Sequence, residues 1–246
     1  MNRAVQGIVA AALLIGGWQM VVIATGAPRY ILPPPADVAR AFIENAALIA
    51  SHGSVTLAEV VIGLVVGAAL GAGMAVLLAL SRTVSAVLGP ILLISQAVPV
   101  FALAPILTLW LGYGIMSKAA MAVLIIFFPV ASAFYDGLMR LPSGLADLSQ
   151  VLGASRWRQM WHLRIPAAAP ALASGLKIAA VYAPIGAVIG EWVGSSEGLG
   201  YLMLLANGRA KTDLMFAALA ALAAMTLALH WGVGRLAARL ARYGSA

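Results

Sequence analysis

Of 246 residues, 63% are hydrophobic and 9% charged, against about 25% charged in a soluble domain; so few charges cannot cover a water-facing surface, and lipid must be much of the solvent. The net charge of +7 sits in short gaps between apolar runs, not on one face, which argues against nucleic-acid binding and fits the loops of a membrane protein. There is no cysteine, so disulfides, thiolate metal sites and cysteine catalysis are excluded.

A membrane span needs about 20 mostly apolar residues. The first such run, Ala4–Thr25, carries no charge between Arg3 and Arg29. It exceeds the apolar core of about 7–15 residues in a cleaved signal peptide, so it reads as a retained span. Pro28 and Pro33-Pro34-Pro35 follow and stop helical geometry. Ala36–Ala50 then reads as a short interfacial helix, with Val38, Phe42 and Ile43 on one side.

The second span is predicted at Leu57–Leu80. Glu59 opens it and is expected at the interface. Gly63, Gly67 and Gly71 are four apart, so they share a helix face where another backbone can approach closely. The third span is predicted at Val84–Leu111, with Gln96 mid-way beside Pro99. A polar side chain at depth is costly, and proline invites a kink. Gln96 can therefore hydrogen-bond a polar solute or bridge two helices. The fourth span, Ile115–Phe134, ends at Tyr135 and Asp136. The fifth, Ala168–Ile189, ends at Glu191-Trp192. Glu191 can contact solute or gate the mouth, or it can pair with Arg209 or Lys211. The sixth is predicted at Leu214–Val233. His52, His162 and His230 are scattered and form no metal-ligand cluster.

The reading is an all-α membrane protein with about six transmembrane helices. Arg3, Arg82, the loop arginines 140, 156, 158 and 164, and Arg235, Arg239 and Arg242 all fall on one side of such a chain. That excess predicts cytoplasmic termini and a cytoplasmic loop at residues 137–166.

Within the loop, Leu145, Leu148, Val151 and Leu152 recur at helical spacing. Gly153 sits where a helix C-cap commonly lies, and Ser155 can cap a second helix that runs to Ile165 and is closed by Pro166. Trp157, Met160 and Trp161 line one side of it. Exposed aromatics beside arginines make a docking surface; an amphipathic loop resting on lipid headgroups is the other reading.

Asp147-Leu148-Ser149-Gln150-Val151-Leu152-Gly153-Ala154-Ser155, followed by Ile165-Pro166, resembles the "EAA" loop of permeases from bacterial binding-protein-dependent ABC importers. Gly153, Ala154, Ser155 and Pro166 match that pattern. Asp147, Leu148 and Ser149 replace Glu-Ala-Ala. Gly190-Glu191-Trp192-Val193-Gly194 with Gly198-Leu199-Gly200-Tyr201-Leu202, and residues 105–114, resemble the nitrate/sulfonate/taurine-type permeases. The wording around 127–136 and 191–207 is most similar to permeases for thiamine-precursor pyrimidines.

The resemblance implies a type I ABC importer permease fold. It implies an initial segment 1–56, with one transmembrane helix and a periplasmic interfacial piece, and a permease core at 57–242. The loop would be the coupling element, with Asp147, Gly153, Ala154, Ser155, Trp157, Trp161 and Pro166 at the ATPase contact. Gln96, Tyr135, Glu191 and Trp192 are the pathway candidates. The implied partners are an ATP-binding subunit, a periplasmic or lipid-anchored solute-binding protein and a second permease copy, in a bacterial inner membrane. No phosphate-cradling Gly-x-x-x-x-Gly-Lys-Ser/Thr occurs in the sequence, so ATP would be used by the partner chain, and no cofactor is expected on this one. A proton-coupled carrier would want several deep acids or histidines. A membrane-embedded enzyme would want a clustered nucleophile and base or His-Glu-x-x-His. The sequence offers neither.

Overall fold

In lipid every backbone polar group must be satisfied internally, which favours helices. The computed structural model describes residues 3–141 and 143–243, and among them the regular elements are all helical. Helix α1 (Arg3–Thr25) stops where Gly26 takes φ +58°. Helix α2 (Pro35–Glu44) begins on a proline, whose missing N–H costs nothing in a first turn. It is shorter than predicted. Asn45 ends it, its side-chain amide donating to the Ala41 carbonyl at 2.9 Å.

Helix α3 (Ala46–Leu80) starts eleven residues before the predicted Leu57. Ser51, Ser54 and Thr56 had interrupted the apolar run in the sequence. In the helix the hydroxyls of Ser51 and Ser54 donate back to the carbonyls of Leu48 (2.8 Å) and Ser51 (2.7 Å), so polar residues sit there without breaking it. At about 1.5 Å per residue α3 is about 52 Å long, well beyond a hydrocarbon core of about 30 Å.

The predicted third span is not one helix. Helix α4 (Arg82–Ser95) and helix α5 (Val100–Leu111) meet at a 98° bend. Pro99 cannot donate to the helical ladder and pushes Val98 out of the α region. Gln96 is thus the exposed C-cap of α4, not a residue inside a continuous span.

Helix α6 (Ile115–Met139) is followed by α7 (Ser143–Val151) and the short α8 (Arg156–Gln159). A π-helical turn, Met160–Arg164, leads directly into α9 (Ile165–Gly194). Pro166 therefore does not close a helix. It occupies the first turn of α9, where proline is tolerated. Helix α10 (Leu199–Gly208) and α11 (Thr212–Tyr243) complete the chain. Five helices are long and apolar enough to cross a membrane, or six if the bent α4–α5 pair counts as one span.

Helix α6 packs against both α3 and α9. Val60, Ile126, Val130, Ala179 and Ala183 form the centre of this core. The glycine face of α3 behaves as the spacing predicts. A Cβ at Gly67 would lie 2.9 Å from Ile126, and one at Gly71 would lie 2.7 Å from the Phe127 carbonyl. Small residues there admit α6 at backbone distance. Helix α1 stands largely apart, its Trp18 ring stacked on Phe216 at 5.5 Å.

Candidate coupling surface and the hairpin opposite it

The loop between α6 and α9 is built around one elbow. Gly153 adopts φ +69°, and Ala154 N–H donates to Ser149 O at 2.9 Å. This is the six-to-one bond of a Schellman C-cap. Ser155 Oγ accepts from Arg158 N–H at 3.3 Å and caps α8. Met160 is buried with Ala75, Phe134, Leu138 and Ala168, which anchors the π turn to the bundle. Arg164 Nη1 donates to Leu138 O at 3.4 Å.

What the anchor leaves outside is aromatic. Trp157 is 58% exposed and Trp161 51%, with their rings edge-on at 5.8 Å. With Ser155, Arg158 and His162 they line a concavity of about 540 Å³. Val151 and Leu152 are exposed beside it. Six of the seven predicted coupling residues are described. Five of them, Gly153, Ala154, Ser155, Trp157 and Trp161, fall along the elbow, α8 and the π turn, and Pro166 follows in the first turn of α9. The side chain of Asp147 lies outside the described residues.

The pathway candidates are not brought together. Tyr135 faces the loop end, its hydroxyl 2.8 Å from Ser85 Oγ. Gln96 is exposed at the α4–α5 bend. Glu191 and Trp192 lie at the far end of α9. The suggested pairing of Glu191 with Arg209 or Lys211 is not what the structure shows.

Glu191 is buried and serves the start of α10. The N–H groups that open a helix have no partner of their own, and here three neighbouring side-chain atoms accept from four of them. Gly198 N–H donates to His52 Nδ1 at 3.0 Å and Leu199 N–H to Thr56 Oγ1 at 2.8 Å. Gly200 and Tyr201 N–H groups both donate to Glu191 Oε2. The Thr56 hydroxyl donates to Glu191 Oε1 at 2.6 Å. Trp192 Nε1 donates to Gly200 O at 3.1 Å.

The glycines follow from this arrangement. Gly198 has φ +107°, and a Cβ there would overlap the Glu191 carboxyl. Gly194 gives room for Tyr113 and Thr108, so the 105–114 motif packs against the 190–194 motif.

Beside this cap lies an ion pair that sequence reasoning missed. Lys118 Nζ is 2.7 Å from Glu59 Oε1, with both side chains buried. Glu59 is therefore not a solvated residue at a helix start; it points into the protein. From Glu59 to Leu80, and from Lys118 to Met139, each helix climbs about 30 Å at ~1.5 Å per residue. The pair thus lies a full hydrocarbon thickness from the loop end. Two signals were present in the sequence: an acid inside an apolar helix, and a lysine one turn into another. His52 and Thr56, four apart on α3, had no such mark.

Residues 60–242 match the family model described as "Binding-protein-dependent transport system inner membrane component". The chain is 50% identical to a "Probable ABC transporter permease protein" of Haemophilus influenzae, covering 94% of each chain. It is 38% identical to the "Formylaminopyrimidine transport permease protein ThiX" of Halalkalibacterium halodurans, over 75% of this chain and 74% of that one. Among solved structures, a chain of the MetNI methionine ABC transporter in inward-facing conformations superposes with a TM-score of 0.66 at 21% identity, covering 78% of this chain and 95% of that one. That likeness bears on the fold.

Proposed function

We propose, from the premise that this chain belongs to the family of binding-protein-dependent transport system inner membrane components, that it is the ABC importer permease for a thiamine-precursor pyrimidine. In this reading an external binding protein delivers the solute and a separate chain hydrolyses ATP. The permease carries no catalytic residue of its own. The pyrimidine rests on the ThiX relative and on the sequence around residues 127–136 and 191–207; a sulfonate-type anion is the alternative within the same family.

The observation that carries the coupling role is the pair Trp157 and Trp161, about half exposed on a loop whose own backbone is capped and anchored. Exposed tryptophans held rigidly are interface anchors. Residues 137–166 are the segment assigned to the ATPase, which places them and both termini in the cytoplasm.

The bent pair supports a second permease copy. Helix α4 buries no residue, and Val87, Ile91, Leu93 and Ile94 are exposed on it. Irregular backbone at membrane depth is tolerated only against protein or a water-filled path. A second copy facing the Gln96–Pro99 bend supplies both, and Gln96 then faces the path.

Proteoliposomes holding the permease, its ATPase and its binding protein provide the test. Labelled formylaminopyrimidine should accumulate only when ATP and the binding protein are both present, and excess taurine should not compete. Uptake driven by a proton gradient without ATP would replace the importer with a secondary carrier. Taurine uptake in place of pyrimidine uptake would overturn the substrate alone.

A further inference from the structure

A cavity of about 590 Å³ lies at the loop end, between the start of α4, the last turns of α6 and the α8–π-turn segment. Arg82 of α4 lines it together with Arg156 and Arg164 of the loop, more than 70 residues on. Among the described residues no acidic one lines it, and none of the three arginines forms an ion pair. The bonded hydroxyls of Ser85 and Tyr135 form one wall. Leu78 and Leu80, the end of the apolar stretch of α3, form another.

We propose that this cavity binds the phosphate of an anionic phospholipid from the adjacent leaflet. Planar guanidinium groups suit phosphate oxygens, often in paired hydrogen bonds. Basic pockets between transmembrane helices on the cytoplasmic side have this use. An orientation signal needs arginines on one side of the membrane. It does not need three of them to converge on one cavity with two hydroxyls.

The leucine wall selects a lipid over a free anion, because a soluble phosphate gains nothing from it, whereas a glycerol backbone and upper acyl chain do. It also selects a lipid over an acidic stretch of the ATPase. Trp157, Arg158, Trp161 and His162 line a neighbouring concavity; only Ala154 of the residues assigned to the ATPase contact also lines the basic cavity. A phosphate seated here would tie the first turn of α4 to the coupling loop through Arg82 and Arg156. The membrane would thereby hold together the two elements that ATP-driven motion must move.

The test is native mass spectrometry of the full chain in detergent, titrated with phosphatidylglycerol and with phosphatidylcholine of the same acyl chains. Wild type should prefer phosphatidylglycerol. At the strength typical of one basic residue near an anionic lipid, Arg82→Gln should weaken that preference about fivefold, and the triple change Arg82→Gln, Arg156→Gln, Arg164→Gln roughly a hundredfold. Arg239→Gln removes an equal charge from the tail helix and should change nothing. If the triple variant does not fold, the contrast between the two exposed single variants still decides. Equal losses from Arg82→Gln and Arg239→Gln would reduce the effect to general surface charge and overturn the site. Displacement of the lipid by inorganic phosphate at matching concentration would make it a free-anion site. Loss of the lipid on adding the ATPase chain would make it a protein contact.

Discussion

At the α9–α10 hairpin end, an acid, the N–H of a tryptophan whose ring is itself 52% exposed, and two glycines are engaged within the chain. Glu191 accepts from Thr56, Gly200 and Tyr201, Trp192 donates to Gly200, and Gly198 turns where a side chain would strike the carboxyl. At the loop end, a glycine and two tryptophans are left over. Gly153 sets the elbow with no neighbour near its missing Cβ, and the rings of Trp157 and Trp161 meet edge-on with about half of each side chain exposed. In sequence the two motifs look alike: glycine, acid and tryptophan at the mouth of an apolar run. What separates them is whether the polar and aromatic groups find partners within the chain. A saturated cluster is scaffold. An unsaturated one, held rigidly, is a surface waiting for a partner.

The sharpest way to break the contrast is to remove the carboxylate at the saturated end. Glu191→Ala leaves two N–H groups buried without an acceptor, each costing about 1–3 kcal/mol, and opens a cavity beside them. The expected loss is about 3–5 kcal/mol, enough to destroy the monodisperse species in detergent. Fluorescence-detected size exclusion after a heat ramp reads it directly. A variant with wild-type melting but lost uptake would turn the hairpin from scaffold into gate.

The ion pair gives a second, nearly equal effect with a built-in control. Lys118→Met strands the Glu59 carboxylate in the protein and should cost about 3–5 kcal/mol, whereas replacing both partners by apolar groups is often neutral. Lys118→Met combined with Glu59→Leu should therefore recover most of the lost melting temperature. If the double variant is as unstable as the single, the pair is not an isolated structural unit, and Glu59 has another obligation.

The loop end should respond in the opposite currency, binding rather than stability. Gly153→Val is penalised in the left-handed region. The change Trp157→Ala with Trp161→Ala removes the exposed anchors. Each should leave the protein folded and inserted, Gly153→Val at a local cost of about 1–2 kcal/mol, and weaken ATPase binding by about 2 kcal/mol or more, over tenfold in affinity. Co-purification with the ATPase chain measures it. Undiminished recovery would leave the loop resting on lipid headgroups.

This division explains what could be read in the sequence. Apolar runs of about 20 residues located every long helix, and the glycine face of α3 was legible because four-residue spacing is a property of one helix alone. The Gly153 elbow was legible for the same reason: caps are local. Glu59 was misplaced because its partner is 59 residues away on α6, and no local pattern carries that distance. The role of His52 was invisible because it binds a backbone N–H 146 residues on. The early start of α3 was missed because hydropathy penalises Ser51 and Ser54 as if their hydroxyls were unpaired, while the helix itself pairs them.

Gln96 carries the smallest expected effect, and the bend reframes it. As a mid-span residue it had two roles open, solute contact or a bridge between helices. The structure removes the helix it would have bridged across: α4 ends at Gln96, its side chain is exposed, and among the described residues it makes no hydrogen bond. Truncating an exposed, unbonded side chain at a helix end rarely changes stability by more than about 0.5 kcal/mol. Gln96→Ala should therefore leave melting and membrane abundance unchanged. If the bend lines the path between two permease copies, the same change should alter solute uptake by a few-fold, the scale of a lost neutral hydrogen bond of about 0.5–1.5 kcal/mol. Uptake normalised to the amount of protein in the membrane separates the two quantities. Parallel loss of abundance and uptake would show that Gln96 is needed at a packed interface between copies, because a side chain free in the chain alone can only become structural once a second chain covers it.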